Sequence, residues 1–449
     1  MSLAFAVLRL AIVLALLPYA WDWRSPNLAA VRGVALPILL GGALALVALE
    51  IRLWCKGGFS SRTRAAIGAA TFALAAVVLG ATVGHEARFQ WMRHAVLAAD
   101  PQRLEKLGRH VIVGYRDRAE LDALIARRAV AGVFIAAHNV GQHTKDEVAE
   151  TIRSLQAVRA REKLPPLWIA VDQEGGTVSR LSPPLPPEPS LAGLVESHPA
   201  PAERAAAVRD FAAAQGRALA ALGINVNFSP VIDLNRHIVN PDDRFTHISQ
   251  RAISADPEIV TEAARAYCAA LWQAGVRCTL KHFPGLGRVF ADTHLASADL
   301  DAPVSELAAS DWIPFRALMA EDGVFTMLGH ARLTAMDRAA PASTSRRVVA
   351  GMIRDAWRHD GVLVTDDFCM AAVYDAGGGI GAAAVAALDA GVDLILVSFD
   401  PDQYYPVMYA LLKADAAGRL RPEALRQSEN RLRRATSGGR DAAAGADSP

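Results

Sequence analysis

The sequence lacks the features that identify nucleic-acid-binding proteins. Its 449 residues contain 47 Lys and Arg against 46 Asp and Glu, which gives a formal net charge of +1. A chain with so little net charge has no global field that would attract nucleic acid. Blocks of basic residues interleaved with aromatic residues are also absent. We therefore expect no nucleic-acid partner.

Cysteine is scarce, and its spacing does not suit a metal site. The four cysteines are Cys55, Cys268, Cys278 and Cys369, and no two form a C-x-x-C pair. This spacing argues against a zinc or thioredoxin-like motif. Cys55 follows an apolar run, and the other three fall in segments that we expect to be buried, where free thiols are common. We predict free core thiols in preference to a disulfide between Cys268 and Cys278.

Apolar residues are abundant, at 52 % of the chain, and they are concentrated near the N-terminus. Three apolar runs lie at 3–20, 33–49 and 65–84, and only Arg9 interrupts the first. A helix needs roughly 20 residues to cross a bilayer, with about 17 as the lower limit, and each run reaches that length. The first run alone could be a signal peptide. The two further runs favour a multi-pass anchor of three transmembrane helices over residues 1–84, with the lipid bilayer as its partner.

The charges between the runs predict the orientation of this anchor. The link between the second and third runs is the more basic, with Arg52, Lys56, Arg62 and Arg64. The link between the first and second runs has two basic residues, Arg24 and Arg32, and one acidic residue, Asp22. Basic links stay on the cytoplasmic side. We therefore expect a protein of the cytoplasmic (inner) membrane, with the chain after residue 85 on the periplasmic or extracellular side.

Beyond a linker at 85–101, the sequence alternates between short apolar runs and amphipathic segments. Eight runs are continuous enough to be parallel strands buried on both faces: 110–115, 131–136, 167–172, 224–230, 275–280, 323–328, 361–367 and 392–399. Eight strands separated by helices predict an α/β protein with a (β/α)₈ TIM barrel, here over residues 102–435. The tail at 436–449 has no apolar periodicity, and we expect it to be disordered.

Polar residues recur at the carboxyl ends of these strands, where the chemistry of such barrels is located. They are His138 and Asn139, Asp172, Asp233, Lys281 and His282, His330, Asp366 and Asp367, and Asp400. So many polar groups are costly to leave unpaired at one rim, which predicts a binding pocket. Individually, Asp233 fits a loop organiser as well as a ligand, and His330 fits core packing equally well. His138 could simply lie at the surface.

Five motifs resemble glycoside hydrolase family 3, and more narrowly its NagZ-type β-N-acetylhexosaminidases. They are AVDQEGGTVSRL, NFSPVIDLN, KHFPGLGRVFADTHL, VTDDF and ALDAGVDLILV, in that order along residues 102–435. The chain departs from the usual family pattern at Leu286, where relatives have histidine, and at Thr177, where they often have arginine. The resemblance does not extend to the three apolar runs.

The resemblance implies a role for each matched position. Asp366 would be the nucleophile, His294 the acid/base, and Asp292 the carboxylate that orients the imidazole. The residues implied to bind the sugar are Asp172, Arg180, Arg251, Lys281 and His282. A histidine can replace the usual carboxylic acid because it exchanges a proton near neutral pH. This chemistry requires neither a metal nor an organic cofactor.

The resemblance implies a membrane-anchored, retaining β-N-acetylglucosaminidase that acts on a glycan with a terminal β-linked N-acetylglucosamine. Peptidoglycan fragments or other envelope glycans are the expected substrates, with either water or phosphate as the acceptor. Two alternatives on the same barrel are a catalytically impaired glycan sensor and a β-glucosidase. A third, a metal-dependent hydrolase using His282, His294, His330 and Asp366, is disfavoured because Lys281 would repel a cation. The oligomeric state stays open.

Overall fold

The computed structural model describes residues 2–57, 59 and 61–445, and the chain divides into two compact units, 1–98 and 99–449. The first unit contains α1 (Leu3–Trp21), α2 (Arg32–Cys55) and α3 (Arg62–Leu97). Each of these helices is long and apolar enough to cross a membrane, with a mean hydropathy of 2.2, 2.3 and 2.1 in turn. The segment expected to be a linker from residue 85 is therefore mostly a continuation of α3.

The only charge inside the first apolar run has a partner on the next helix. Arg9 of α1 lies 2.9 Å from Glu50 of α2, and both side chains are buried. Charged groups within apolar helices of this kind usually face the bundle interior and pair with one another. Trp23 and Arg24, just after α1, both contact Glu86 of α3.

The second unit is built on eight parallel strands, and each corresponds to a strand predicted from the sequence. They are β1 (Val111–Val113), β2 (Gly132–Phe134), β3 (Trp168–Val171), β4 (Val226–Asn227), β5 (Cys278–Phe283), β6 (Val324–Leu328), β7 (Leu363–Asp367) and β8 (Leu394–Val397). Their order in the sheet is β4-β3-β2-β1-β8-β7-β6-β5. Isolated parallel bridges, Val226 to Arg277 and Val231 to Lys281, join β4 to β5. The sheet is therefore a nearly closed barrel.

Helices connect these strands as the alternating pattern predicts. They are α4 (Pro101–Gly108), α5 (Arg118–Ala126), α6 (Ala137–Val140), α7 (Lys145–Arg161), α8 (Leu191–Ser197), α9 (Pro201–Leu222), α10 (Ile248–Arg251), α11 (Pro257–Gln273), α12 (Val304–Ala308), α13 (Ile313–Leu318), a π-helix (Arg347–Ala356), α14 (Ala371–Tyr374), α15 (Gly379–Ala390), α16 (Tyr404–Ala416) and α17 (Pro422–Gly445). Large apolar side chains from the strands fill the interior, and Phe134 stacks on Phe228 at 5.9 Å between ring centroids. The barrel is therefore a packed core that holds its loops in place.

One expectation from the sequence is wrong. Cys268 of α11 and Cys278 of β5 form a disulfide, with their Cα atoms 5.3 Å apart. The chain reverses between these two elements and brings the cysteines within bonding reach. Helix α17 continues as far as Gly445, into the tail that we expect from the sequence to be disordered from residue 436. Residues 446–449 lie outside the described residues.

Candidate active site

A histidine and an aspartate form a hydrogen-bonded pair on the loop after β5. His294 Nδ1 lies 2.9 Å from Asp292 Oδ1, and the Thr246 hydroxyl donates to the same oxygen at 2.7 Å. The backbone N–H groups of Arg244 and Phe245 both donate to Asp292 Oδ2 at 3.1 Å. Burial alone would raise the pKa of Asp292, but the hydrogen bonds from His294 and Thr246 hold it well below its usual value. The ionised carboxylate thus fixes a proton on Nδ1 and leaves Nε2 for proton transfer.

Asp366, the second-last residue of β7, lies near several imidazoles. Burial would raise the pKa of this carboxyl, but the charge interactions with His282, His330 and His294 lower it below its usual value. The backbone N–H of Asp367 also donates to Asp366 Oδ1 at 2.8 Å. Asp366 is therefore a carboxylate at neutral pH, which is the form that can act as a nucleophile.

A buried network of alternating charges lies at the ends of β3 and β5. Lys281 Nζ lies 2.8 Å from Asp172 Oδ1 and 2.6 Å from Glu174 Oε1. Arg251 contacts both oxygens of Glu174, at 2.6 and 3.0 Å. Burial would raise the pKa of Glu174, but Arg251 and Lys281 lower it to about 2. The network thus keeps two cations charged inside the protein, where they can bind the hydroxyls of a sugar.

Arg180 is the predicted sugar-binding residue that stands apart from this network. Its side chain is exposed, and its backbone N–H donates to the carbonyl of Asp172 at 3.0 Å. The structure therefore brings together Asp172, Lys281 and Arg251. Arg180 lies beside Asp172, on the loop that follows β3.

Asp233 organises the loop that carries His282. The carboxylate is buried and lies 2.8 Å from His282 Nδ1, and it also accepts from the backbone N–H groups of His282 and Leu286. Leu286 itself is buried in an apolar cluster with Val231 and Ile248. The leucine thus fills a position where an unpaired histidine would be costly.

Asp367 and His330 hold the end of β7 next to Asp366. The carboxylate of Asp367 accepts from the hydroxyl of Ser398 at 2.6 Å and from the backbone N–H of Phe399 at 2.8 Å. His330 is buried, with Nδ1 2.8 Å from the Ser343 hydroxyl and Nε2 3.1 Å from the carbonyl of Asp367. These contacts fix the strand end that presents Asp366.

Two residues of the site were not predicted as functional from the sequence. Glu174 holds Lys281 and Arg251 together, and Thr246 holds the Asp292–His294 pair. Glu174 carried a weak signal, because it follows Asp172 by two positions in a Gly-Gly turn. Thr246 carried none. Within the described ranges, no group of three or more His, Cys, Asp or Glu residues is placed to hold a metal ion.

The second unit matches a known protein family over almost its whole length. The family model for the Glycosyl hydrolase family 3 N terminal domain matches residues 103–435. A beta-hexosaminidase of Xanthomonas oryzae pv. oryzae is 36% identical over 272 residues, which are 60% of this chain and 76% of the relative. Beta-hexosaminidase LpqI of Mycobacterium tuberculosis is 34% identical over 302 residues, 65% of this chain and 72% of the relative.

A solved structure resembles the second unit in fold and sequence. A glycoside hydrolase family 3 beta-N-acetylglucosaminidase from Paenibacillus sp. superposes with a TM-score of 0.68 and 31% identity, over 77% of this chain and 64% of that chain. This chain therefore spans less than two thirds of that protein. Because the family match extends across the whole barrel, the chain belongs to glycosyl hydrolase family 3 and is a glycoside hydrolase.

Proposed function

We propose that this protein is a membrane-anchored, retaining β-N-acetylglucosaminidase. The observation that carries the proposal is the ionised Asp366 beside a histidine that hydrogen bonds a buried carboxylate, Asp292. A retaining glycosidase needs a nucleophile on one face of the sugar ring and a proton donor on the side of the leaving group. Asp366 supplies the first function and His294 supplies the second.

The reaction follows from these two groups. An oxygen of Asp366 attacks the anomeric carbon while protonated His294 gives the proton on Nε2 to the glycosidic oxygen, so that the aglycone leaves as an alcohol. The neutral imidazole then takes a proton from the acceptor, water or phosphate, which attacks the same carbon and releases Asp366. Asp292 stays ionised throughout and stabilises the imidazolium, as the aspartate does in a serine-protease triad.

The substrate assignment draws on the charged network and on the relatives. Asp172, Arg180, Arg251, Lys281 and His282 would bind the hydroxyls of the terminal sugar. Relatives named beta-hexosaminidase and beta-N-acetylglucosaminidase favour an N-acetylglucosamine over a glucose in this position. They also favour an active enzyme over a glycan sensor. Peptidoglycan fragments or other envelope glycans are the proposed substrates.

We also propose a location in the cytoplasmic membrane, with the second unit, which is the catalytic unit, outside the cytoplasm. Three helices can cross a membrane, and the more basic link between α2 and α3 favours a cytoplasmic N-terminus. The catalytic unit would then lie on the periplasmic or extracellular side. The Cys268–Cys278 disulfide supports this side, because disulfides persist in oxidising compartments and are rare in the cytosol.

The test is hydrolysis of an aryl β-N-acetylglucosaminide and of the matching aryl β-glucoside by the full-length protein in detergent. We expect turnover of the acetamido substrate, and a loss of about 10⁴-fold in kcat for Asp366→Asn. Because asparagine preserves the shape of the site, the variant should still bind N-acetylglucosamine. Equal rates for Asp366→Asn and wild type would refute the assignment of Asp366 as the nucleophile. A preference for the glucoside would refute the specificity for N-acetylglucosamine.

A further inference from the structure

An exposed aromatic ring lies directly beside the proposed proton donor. The centroids of the Phe245 and His294 rings are 5.5 Å apart, and the rings are tilted by 47°. Phe245 is 54% exposed and the His294 side chain is 36% exposed. A single exposed phenylalanine is ordinary on a protein surface. Its contact with the imidazole of the proposed proton donor is what requires an explanation.

Hydrogen bonds hold this phenylalanine in place. The backbone N–H of Phe245 donates to Asp292 Oδ2 at 3.1 Å, which ties the ring to the same carboxylate as His294. The carboxylate of Asp243 accepts from the backbone N–H groups of Thr246 at 2.9 Å and His247 at 2.7 Å, which closes the turn on either side. The ring is therefore presented by an organised turn and keeps a defined position relative to the acid.

The chemistry determines what this ring would face. The proton of His294 is transferred to the glycosidic oxygen, so the aglycone leaves on the side of His294. The terminal sugar occupies the other side, toward Asp366 and the charged network of Lys281 and Asp172. An exposed side chain that contacts His294, as Phe245 does, is therefore placed against the aglycone.

The leaving-group side of the site differs in character from the sugar side. Next to His294, Leu295 is 45% exposed, and Phe290 on the same loop is 61% exposed. The carbonyl of Phe290 accepts from the Asn240 side chain at 2.9 Å, which joins this loop to the one that carries Phe245. Apolar side chains here can cover the C–H face of a sugar ring, whereas the buried groups of the sugar side, Lys281, Arg251 and Glu174, are charged.

We propose that Phe245 forms an aglycone subsite and stacks against the C–H face of a second pyranose ring. The subsite rests on the proposed function and narrows it to glycans in which the terminal N-acetylglucosamine is linked to another sugar. A pyranose fits better than a lipid chain because exposed polar groups, Arg244 and Asp242, lie on the same turn and suit its hydroxyls. Small alkyl glycosides would be poorer substrates because they leave the ring uncovered.

The test compares Phe245→Ala, Phe245→Tyr and wild type, each as the full-length protein in detergent, on three substrates. N,N′-diacetylchitobiose has a sugar aglycone. Methyl β-N-acetylglucosaminide needs the same protonation but has almost no aglycone. The corresponding β-glycosyl fluoride needs neither protonation nor an aglycone, and it reports on Asp366 and the sugar network alone.

We expect Phe245→Ala to lower kcat/KM for the disaccharide about tenfold, mainly through KM, and to leave the other two substrates unchanged. Phe245→Tyr keeps the ring and should retain activity on all three. An equal loss on the methyl glycoside would overturn the subsite, because Phe245 would then act through His294. An unchanged disaccharide rate would also overturn it. If wild type hydrolysed none of the three, the proposed function itself would fail, and the subsite with it.

Discussion

At the scale of single residues, Thr246 connects His294, the proposed proton donor, to the charged network proposed to bind the sugar. Its hydroxyl donates to Asp292 Oδ1 at 2.7 Å, and its backbone carbonyl accepts from Arg251 at 2.8 Å. Arg251 in turn contacts Glu174. One buried residue therefore fixes the distance between the proposed proton donor and the groups proposed to bind the sugar. Catalytic geometry of this kind must be held within a fraction of an ångström.

We expect Thr246→Val to impair proton donation specifically. The substitution preserves the shape of the side chain and removes one hydrogen bond from the buried carboxylate of Asp292. For substrates with poor leaving groups, kcat should fall about tenfold, in line with a cost of about 1–3 kcal/mol for an unmet buried partner. Activated aryl glycosides, which leave without protonation, should lose much less. Steady-state kinetics on an alkyl and an aryl N-acetylglucosaminide would measure the difference.

Thr246→Ser is the matched control, because it restores the hydroxyl and should restore the rate on the alkyl glycoside. The pH profile adds a second criterion. Without the Thr246 hydrogen bond, the Asp292 carboxylate attracts a proton more strongly and stabilises the imidazolium of His294. The basic limb of kcat/KM should therefore move to higher pH in Thr246→Val. Equal losses on both substrates with an unmoved basic limb would indicate that Thr246 is merely structural.

At the scale of elements, the strand ends were predictable from the sequence and the loop contacts were not. Parallel strands buried on both faces are continuous apolar runs, so their carboxyl ends can be located by inspection, and Asp172, Lys281 and Asp366 follow from them. Thr246 meets Asp292 across 46 positions of sequence, and Arg251 meets Glu174 across 77. Contacts between separate loops depend on how those loops fold, which no local pattern encodes.

The disulfide was misjudged for a related reason. Cys268 lies in an amphipathic helix and Cys278 in a strand, and each position reads as an ordinary buried site. The pairing depends on the angle at which the chain reverses between α11 and β5. That angle is set by packing of the helix against the barrel, so the sequence left both the free thiols and the disulfide open.

This disulfide should stabilise the link between α11 and the strand that carries Lys281. It closes a loop with a sequence separation of 10 residues, and loop-closure entropy predicts about 2–3 kcal/mol of stabilisation. Reduction should therefore lower the Tm of the catalytic unit, as measured by thermal unfolding of the full-length protein with and without a reductant. The variant Cys268→Ala/Cys278→Ala should unfold at the temperature of the reduced protein and should not respond to the reductant. A wild-type Tm that ignores the reductant would contradict a stabilising disulfide.

At the scale of the whole molecule, two classes of ionisable groups in the catalytic unit make the fold sensitive to acid. The carboxylates of the site, Asp292, Glu174 and Asp366, have pKa values below their usual range because cations, imidazoles and hydrogen bonds oppose the effect of burial. The histidines His110 and His330 have pKa values lowered by burial. Both classes favour the fold near neutral pH, because each group has its native charge there. In acid, each class makes the native state less favourable.

His359 allows the acid sensitivity of the fold to be tested away from the active site. It lies between the π-helix and β7, at the opposite end of that strand from Asp366, and burial together with the charge of Arg354 lowers its pKa to about 4. The unfolded chain has the usual value of about 6.5. As the pH falls from about 6.5 to 4, the unfolded state therefore binds a proton that folded His359 does not, and the free energy of unfolding decreases, by on the order of 3 kcal/mol.

We expect the Tm of the full-length protein to fall between pH 7.5 and pH 5, and to fall less in His359→Gln, whose side chain has no proton to gain. The exposed His143 supplies the matched control, and His143→Gln should keep the wild-type difference. The same difference in Tm for His359→Gln and wild type would exclude His359 as a source of acid sensitivity. A smaller difference in Tm for His359→Gln would assign part of the acid sensitivity to His359, a buried group remote from Asp366 and His294. Loss of activity in acid could then be separated into a part caused by unfolding and a part caused by protonation of Asp366. At temperatures far below the Tm, only the loss caused by protonation of Asp366 remains.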